Sequence, residues 1–345
     1  MNSLMKKLKI QYPIFLSPMA GVSTPELAAA VSNAGGLGSL GLAACDLNTA
    51  KEYIVQTQRL TDQPFQVNFF CHQPITATPH DIQNWIDYLS PHFRNLQMQP
   101  PASLSADFKS FLSDSSYLDL VLDAGCQIVS FHFGLPTQEQ ITTLKQHGVI
   151  LMATATCLAE ALSIQNAGLD IIIAQGIEAG GHRGLFQQDQ ESGLSTHALL
   201  LQLRAHIHLP IVCAGGIMHG QQGKLLLDDG ASAIQLGTAF IQCAQSAASD
   251  QYRNALFQQL KTAITACISG RPARAIINDW HHLVDCKNRP SLPSYPYPYS
   301  IAKQLSAIVP TEHNDFSIFW AGANVHQIRA LSPEALIQTL VKEMQ

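Results

Sequence analysis

One histidine in this chain stands where a proton could be exchanged, or a hydrogen bond offered, beside a bound small molecule. His182 lies in Gln175-Gly-Ile-Glu-Ala-Gly-Gly-His-Arg-Gly184, a glycine-rich loop that also carries Glu178 and Arg183. Imidazole is the side chain whose ordinary titration falls near neutral pH. Gly180 and Gly181 would let backbone approach a bulky planar ligand. The apolar run at 171–174 is too short for a helix and reads as a fully buried parallel strand leading into the loop. His132, in Phe131-His-Phe-Gly134, lies inside another strand-like run and reads as a supporting histidine. No His-x-x-x-His or Cys-x-x-Cys spacing occurs, so no metal site is expected.

Two further groups could do chemistry. Gly215 and Gly216 follow the run at 210–214, and Gln235-Leu236-Gly237-Thr238 ends the run at 233–236. Bare glycine amides and a threonine hydroxyl after successive strands suit a phosphate. Asn68 and Gln175 can both donate to and accept from the edge of a heterocycle, and Met19 could pack against one. Phosphate plus such a rim suits flavin mononucleotide (FMN). Tyr295 and Tyr299 lie near Lys303. If Tyr299 opens a helix, Lys303 falls one turn along the same face. Two phenols and one ammonium make a pocket for a small anion. A proline- and tyrosine-rich surface loop is the alternative.

The elements that must position these groups form a rhythm. Strand-like runs fall at 13–17, 37–42, 65–70, 128–133, 149–155, 171–174, 210–214 and 233–236, with helical stretches between most of them. Thr24 caps a helix beginning at Pro25, and Asp46 caps the next. Eight alternating units predict an α/β (β/α)₈ TIM barrel, whose chemistry sits at the C-terminal rim of its strands. An open doubly wound sheet is the alternative. We read residues 1–240 as the barrel, with a proline-rich excursion at 71–115. Residues 241–325 read as a smaller, mainly helical lid domain, and 326–345 as a C-terminal helix.

Composition narrows the partners. The 345 residues carry a net charge of −5, which argues against nucleic acid. No apolar run is long enough to span a bilayer. Eight scattered cysteines read as buried thiols in a reducing cytosol, and the N-terminus lacks a signal-peptide core. The reading is a cytoplasmic monomer or homodimer acting on a small molecule.

Pro18-Met-Ala-Gly21, Asn68, Phe131-His-Phe-Gly-Leu-Pro136, Glu178-Ala-Gly-Gly-His-Arg-Gly184, Ala214-Gly-Gly-Ile217, Gln235-Leu-Gly-Thr238 and Phe319-Trp-Ala-Gly322 resemble the nitronate monooxygenase family, formerly called 2-nitropropane dioxygenases. The Tyr295, Tyr299 and Lys303 set is similar to the class I enzymes. The resemblance implies an FMN-bound barrel that oxidises alkyl nitronates with O₂. Its typical substrate is propionate 3-nitronate, a respiratory poison, so the implied role is detoxification. FMN contacts carry over to Asn68, Gln175, Gly180, Gly216 and residues 235–238, and the catalytic histidine to His182. A family lid tyrosine has no clear counterpart; Tyr117 and Tyr252 are the candidates. The same Glu-Ala-Gly-Gly-His signature is similar to FMN-dependent enoyl-ACP reductases and NADH:quinone reductases, which remain competing readings. A non-catalytic flavin-binding barrel is a third.

Overall fold

The computed structural model describes residues 3–106, 108–258, 261–309 and 315–345. The excursion at 71–115 and the segment at 241–325 therefore include positions outside the described residues.

The eight short apolar runs become eight parallel strands. They are Ile14–Leu16 (β1), Gly38–Gly41 (β2), Phe65–Phe70 (β3), Ile128–His132 (β4), Ile150–Ala155 (β5), Ile171–Gln175 (β6), then, after the two-residue strand Gly181–His182 (β7), Ile211–Ala214 (β8) and Ala233–Leu236 (β9). Their order is β1-β9-β8-β6-β5-β4-β3-β2. A parallel bridge between Phe15 and Leu37 joins the two ends and closes the barrel. Leu16 donates to the Leu37 carbonyl and Leu37 to that of Ile14, each at 2.9 Å. Closure matters because an open edge would leave these backbone groups unpaired.

Period-two alternation divides each strand between two cores. Ile171 and Ile173 belong to a cluster with Phe15, Ile128, Met152 and Val212, capped below by Leu4 and Leu8 of the N-terminal helix Ser3–Leu8. Ile172 and Ala174 belong to the larger cluster under the surrounding helices. With one end of the barrel packed solid, the site falls at the other, where the strands end. Thr24 and Asp46 cap their helices as expected, accepting from the N–H groups of Leu27 and Thr49.

The 241–325 segment holds the helices Asp250–Phe257 and Tyr297–Ile308, and also two strands the sequence did not reveal. Thr262–Thr265 (β10) and Ala273–Ile276 (β11) run antiparallel, and β11 pairs with β7. Four-residue strands with no clean alternation carry too little pattern to be read from sequence. The proline-rich excursion at 71–115 contains one long helix, Pro79–Asn95. Its Trp85, Leu89 and Phe93 share a core with Trp280, Ile301 and Leu305, so two separate sequence segments pack as one body.

All eight cysteines are free thiols; five are buried, Cys45 and Cys157 are partly exposed, and Cys286 is exposed, against the expectation of uniform burial. No described helix is long and apolar enough to cross a membrane.

Gly38 shows how tightly β2 is pressed on the helix Pro25–Asn33. A Cβ there would lie 2.0 Å from the Ala28 carbonyl oxygen, a backbone atom that no rotamer change can move. Gly38→Ala should therefore destabilise the fold by about 2 kcal/mol or more. A thermal melt within a degree of wild type would refute this packing.

Candidate active site

At the C-terminal end of the strands lies a cavity of about 360 Å³, within the usual size range of small-molecule sites. Every expected cofactor residue lines it: Met19 from the first loop, Asn68 from β3, Gln175 and Gly180–Gly181 from the β6 end and its loop, Gly215 and Gly216 after β8, and Gln235, Leu236, Gly237 and Thr238 at the end of β9. His182, Tyr299 and Lys303 line it as well. Residues more than 280 positions apart in sequence thus meet because parallel strands bring all their C-terminal ends to one rim.

Tyr295 does not line the cavity. Its ring stands edge-on to His182 at 5.9 Å and to His72 at 5.0 Å, behind the catalytic candidate, and its hydroxyl has no hydrogen-bond partner among the described residues. The helix starts at Tyr297, two residues earlier than expected, and the Tyr295–Pro296 peptide is cis. Tyr299 and Lys303 do share a helix face: the ammonium lies 4.9 Å from the Tyr299 ring centre and 4.4 Å from that of Phe108, close enough for cation–π attraction.

The loop bearing His182 is held by Arg183, whose side chain is fully buried. All five of its N–H groups donate: two to Glu191, one to the Gln175 side-chain oxygen, and one each to the Gln175 and Gly176 carbonyls. The Gln175 amide answers by donating to the His182 carbonyl at 2.9 Å and accepting from Gly184 N–H at 2.8 Å. Gln175, expected to meet the cofactor, has its oxygen committed to the loop and acts here as a brace. Glu178 accepts from the backbone and hydroxyl of Thr196 at the start of the helix Thr196–Arg204, where a negative charge is favoured.

The glycines have a reason beyond a ligand. A Cβ on Gly180 would strike the backbone of Ala321 and Gly322, and one on Gly215 the Thr196 hydroxyl. Gly216 has a φ of +70° and faces Glu178 and Asn324. These loops are packed backbone to backbone, and Asn324 ties the C-terminal segment to the Gly216 carbonyl at 2.7 Å.

His182 partners Ser269 through Nε2 at 2.9 Å. Around its ring stand Phe133 at 5.6 Å, Trp320 at 5.2 Å and Tyr299 at 6.0 Å. Burial, then the neighbouring His132 and Arg271, push its pKa down to about 3, so the imidazole is neutral at physiological pH. His132 is pushed to about 3 for the same first reason; its ring contacts the Thr154 hydroxyl and the His182 carbonyl. Burial raises the Tyr299 phenol, which stays protonated as a donor. Among the described lining residues there is no aspartate or glutamate, and Lys303 is the one charged side chain.

Of the two lid-tyrosine candidates, Tyr252 lines the cavity and donates to the Trp320 carbonyl, whereas Tyr117 is remote and donates to that of Cys45. Sequence reasoning missed His72, Phe108, Ser269, Arg271 and Trp320. Only Trp320 carried a signal, in the Phe319-Trp-Ala-Gly322 motif. No cluster of potential metal ligands occurs among the described residues.

This geometry sits in a recognisable lineage. A family model described as nitronate monooxygenase matches residues 2–343. The chain belongs to the nitronate monooxygenase family. It is an oxidoreductase of that class. It is 43% identical to the nitronate monooxygenase of Paraburkholderia phytofirmans over 99% of this chain and 95% of that one. It is 42% identical to the Pseudomonas aeruginosa enzyme over 98% and 97%. Among solved structures it is similar to nitroalkane oxidase from Streptomyces ansochromogenes, with a TM-score of 0.88, 32% identity, and 99% and 97% of the two chains covered.

Two buried histidines make a pH prediction. His132 and His72 fall from the usual 6.5 to about 3 and about 4 on folding, both chiefly through burial. Below about pH 6.5 the unfolded chain takes up their protons first, so stability falls with pH until the folded values are reached. His132→Asn should therefore lose less melting temperature than wild type between about pH 7 and about pH 4.5. Equal losses in both proteins would contradict the neutral buried state of His132.

Proposed function

We propose that this protein uses FMN to oxidise small anionic alkyl nitronates, such as propionate 3-nitronate, with O₂. The observation that carries the reading is the charge pattern of the described cavity lining: one ammonium, neutral hydrogen-bonding groups and, among the described residues, no carboxylate. An anion entering there meets hydrogen-bond donors and one positive charge.

The lining suits the flavin. Thr238 accepts from Gly322 N–H at 3.0 Å, which leaves its own hydroxyl hydrogen to donate. Among the described residues the N–H groups of Gly216 and Gly237 meet no protein acceptor, as a phosphate cradle requires. The side-chain oxygen of Gln235 is buried on the cavity wall without a partner. A ring N–H would satisfy it. Asn68, anchored by its amide to Ser130 at 2.9 Å, presents its other end to the same space.

Bound there, FMN supplies the one-electron and O₂ chemistry. The protein supplies placement. A nitronate already carries its negative charge, so no strong base is needed. Lys303 and the Tyr299 hydroxyl hold a second anionic group on the substrate, and His182 faces the nitro oxygens. Met19, beside Gly237, packs on the ring edge. Phe70, Phe108 and Trp320 exclude water from the reacting atoms. Removal of a respiratory poison by a cytoplasmic enzyme is the role this chemistry supports.

Oxygen uptake with propionate 3-nitronate alone tests the reading; uptake that requires NADH would move the protein to the reductases. Lys303→Met should raise KM for propionate 3-nitronate about tenfold or more, as expected for loss of a charged partner. Ethyl nitronate, which lacks the second anionic group, should change by less than about threefold. Equal changes for both substrates would remove Lys303 from substrate binding. His182→Asn should cost most of the turnover with either substrate, and full retention would make the histidine's role structural.

A further inference from the structure

We propose that Ser269 is a positioning residue that fixes His182 in the Nδ1–H tautomer, so that the ring offers the cavity a hydrogen-bond donor and not a lone pair. The inference rests on the nitronate reading for its consequence, but not for its geometry.

Ser269 is completely buried, in the turn between β10 and β11. Its hydroxyl oxygen lies 2.9 Å from His182 Nε2 and 3.1 Å from the Arg271 carbonyl oxygen, and it accepts the Arg271 N–H at 3.3 Å. A hydroxyl has one hydrogen to give. Two groups can take it: the Arg271 carbonyl oxygen at 3.1 Å and an unprotonated His182 Nε2 at 2.9 Å, the nearer and more basic of the two. We assign the hydrogen to Nε2. The chain of donors then runs one way, from Arg271 N–H to Ser269 O–H to His182 Nε2, and successive bonds of this kind polarise one another.

The proton that a neutral imidazole must carry is then on Nδ1. Among the described residues the ring's hydrogen bond is the one through Nε2, and His182 lines the cavity. Which ring nitrogen carries the proton is set by the bond the other one makes. The ring has little freedom to choose otherwise. Burial keeps it uncharged. The groups facing it are Phe70, Phe133, Tyr299, Tyr295 and Trp320, which supply ring faces and edges. His132 and Arg271 further disfavour a positive charge on it.

The consequence concerns what His182 can do. An Nδ1–H donates to an anionic nitro oxygen. An Nδ1 lone pair would repel that oxygen, and would instead accept a proton from the carbon of an un-ionised nitroalkane. In that second case the C–H bond breaks, its electron pair passes into the nitro group, and an N–H bond forms on the ring. The Ser269 contact selects the first behaviour, which fits a cavity whose described lining holds no carboxylate.

The decisive experiment reads the tautomer directly. Holoenzyme labelled with ¹⁵N-histidine is observed by the two-bond couplings between ring nitrogens and ring carbon-bound protons, with His182 identified by its loss in His182→Asn. The wild-type His182 pattern should be that of Nδ1–H. An Nε2–H pattern overturns the proposal whatever the substrate proves to be. In Ser269→Ala the pattern should shift towards Nε2–H, and kcat/KM for propionate 3-nitronate should fall about tenfold, the usual scale for one hydrogen bond to a charged group. An unchanged tautomer in Ser269→Ala would also overturn it. Failure of nitronate turnover in wild type, with Nδ1–H observed, would sink the functional reading and leave the role of Ser269 standing.

Discussion

All five N–H groups of Arg183 are hydrogen-bonded where water does not reach, and the loop after β6 owes its shape to that fact. A guanidinium is costly to bury unless each donor finds an oxygen. Here the oxygens come from the strand end, from the loop itself and from Glu191. The loop must fold back over β6 for them to converge. In doing so it presents Gly181 and His182 as a short strand edge, and β11 pairs with it. Arg183 N–H also meets the Pro272 carbonyl. The segment beyond the barrel is thus docked through the residue pair His182 and Arg183.

That docking explains why the described lining is largely aromatic on one side and carries a single charge, that of Lys303. The two segments that pack together over the barrel rim bring aromatic rings to one side, with Tyr299 and Trp320 beside His182 and Phe108 stacked on Tyr299, and one lysine. The barrel brings backbone N–H groups and amides. Negative charge is present nearby in Glu178 and Glu191, but Glu178 is turned to a helix start and Glu191 to Arg183. The acids serve the scaffold, and the space between is left to the guest.

Much of this was legible in the chain. The barrel followed from eight apolar runs at regular spacing, because a parallel strand buried on both faces needs such a run. The caps at Thr24 and Asp46 followed from side chains that can accept from the first turn of a helix. The rim residues followed from their place at the strand ends. What was hidden depends on contacts between distant segments. Tyr295 reads like Tyr299 in sequence, yet packing turns it behind His182. Gln175 reads as a ligand for a cofactor, yet Arg183 takes its oxygen. Ser269 carries no signal at all, since its partner is 87 residues away. The glycines were noticed for the right reason of close approach, but the approaching group is often another stretch of the same chain.

The motif at 319–322 completes the wall that Gly180 leaves open. Gly322 N–H binds Thr238, Ala323 N–H binds the Glu178 carbonyl, and Asn324 binds Gly216. Farther on, the helix Pro333–Glu343 sends Glu343 back to Gly220 and packs Ile337 beside Gly36. The first and last parts of the barrel are therefore pinned by that one helix. The histidine and the glycine loops come from the barrel, but the wall that encloses them comes from a segment more than 130 residues beyond His182. Losing residues 319–324 would leave every barrel strand its partner and still open one side of the cavity.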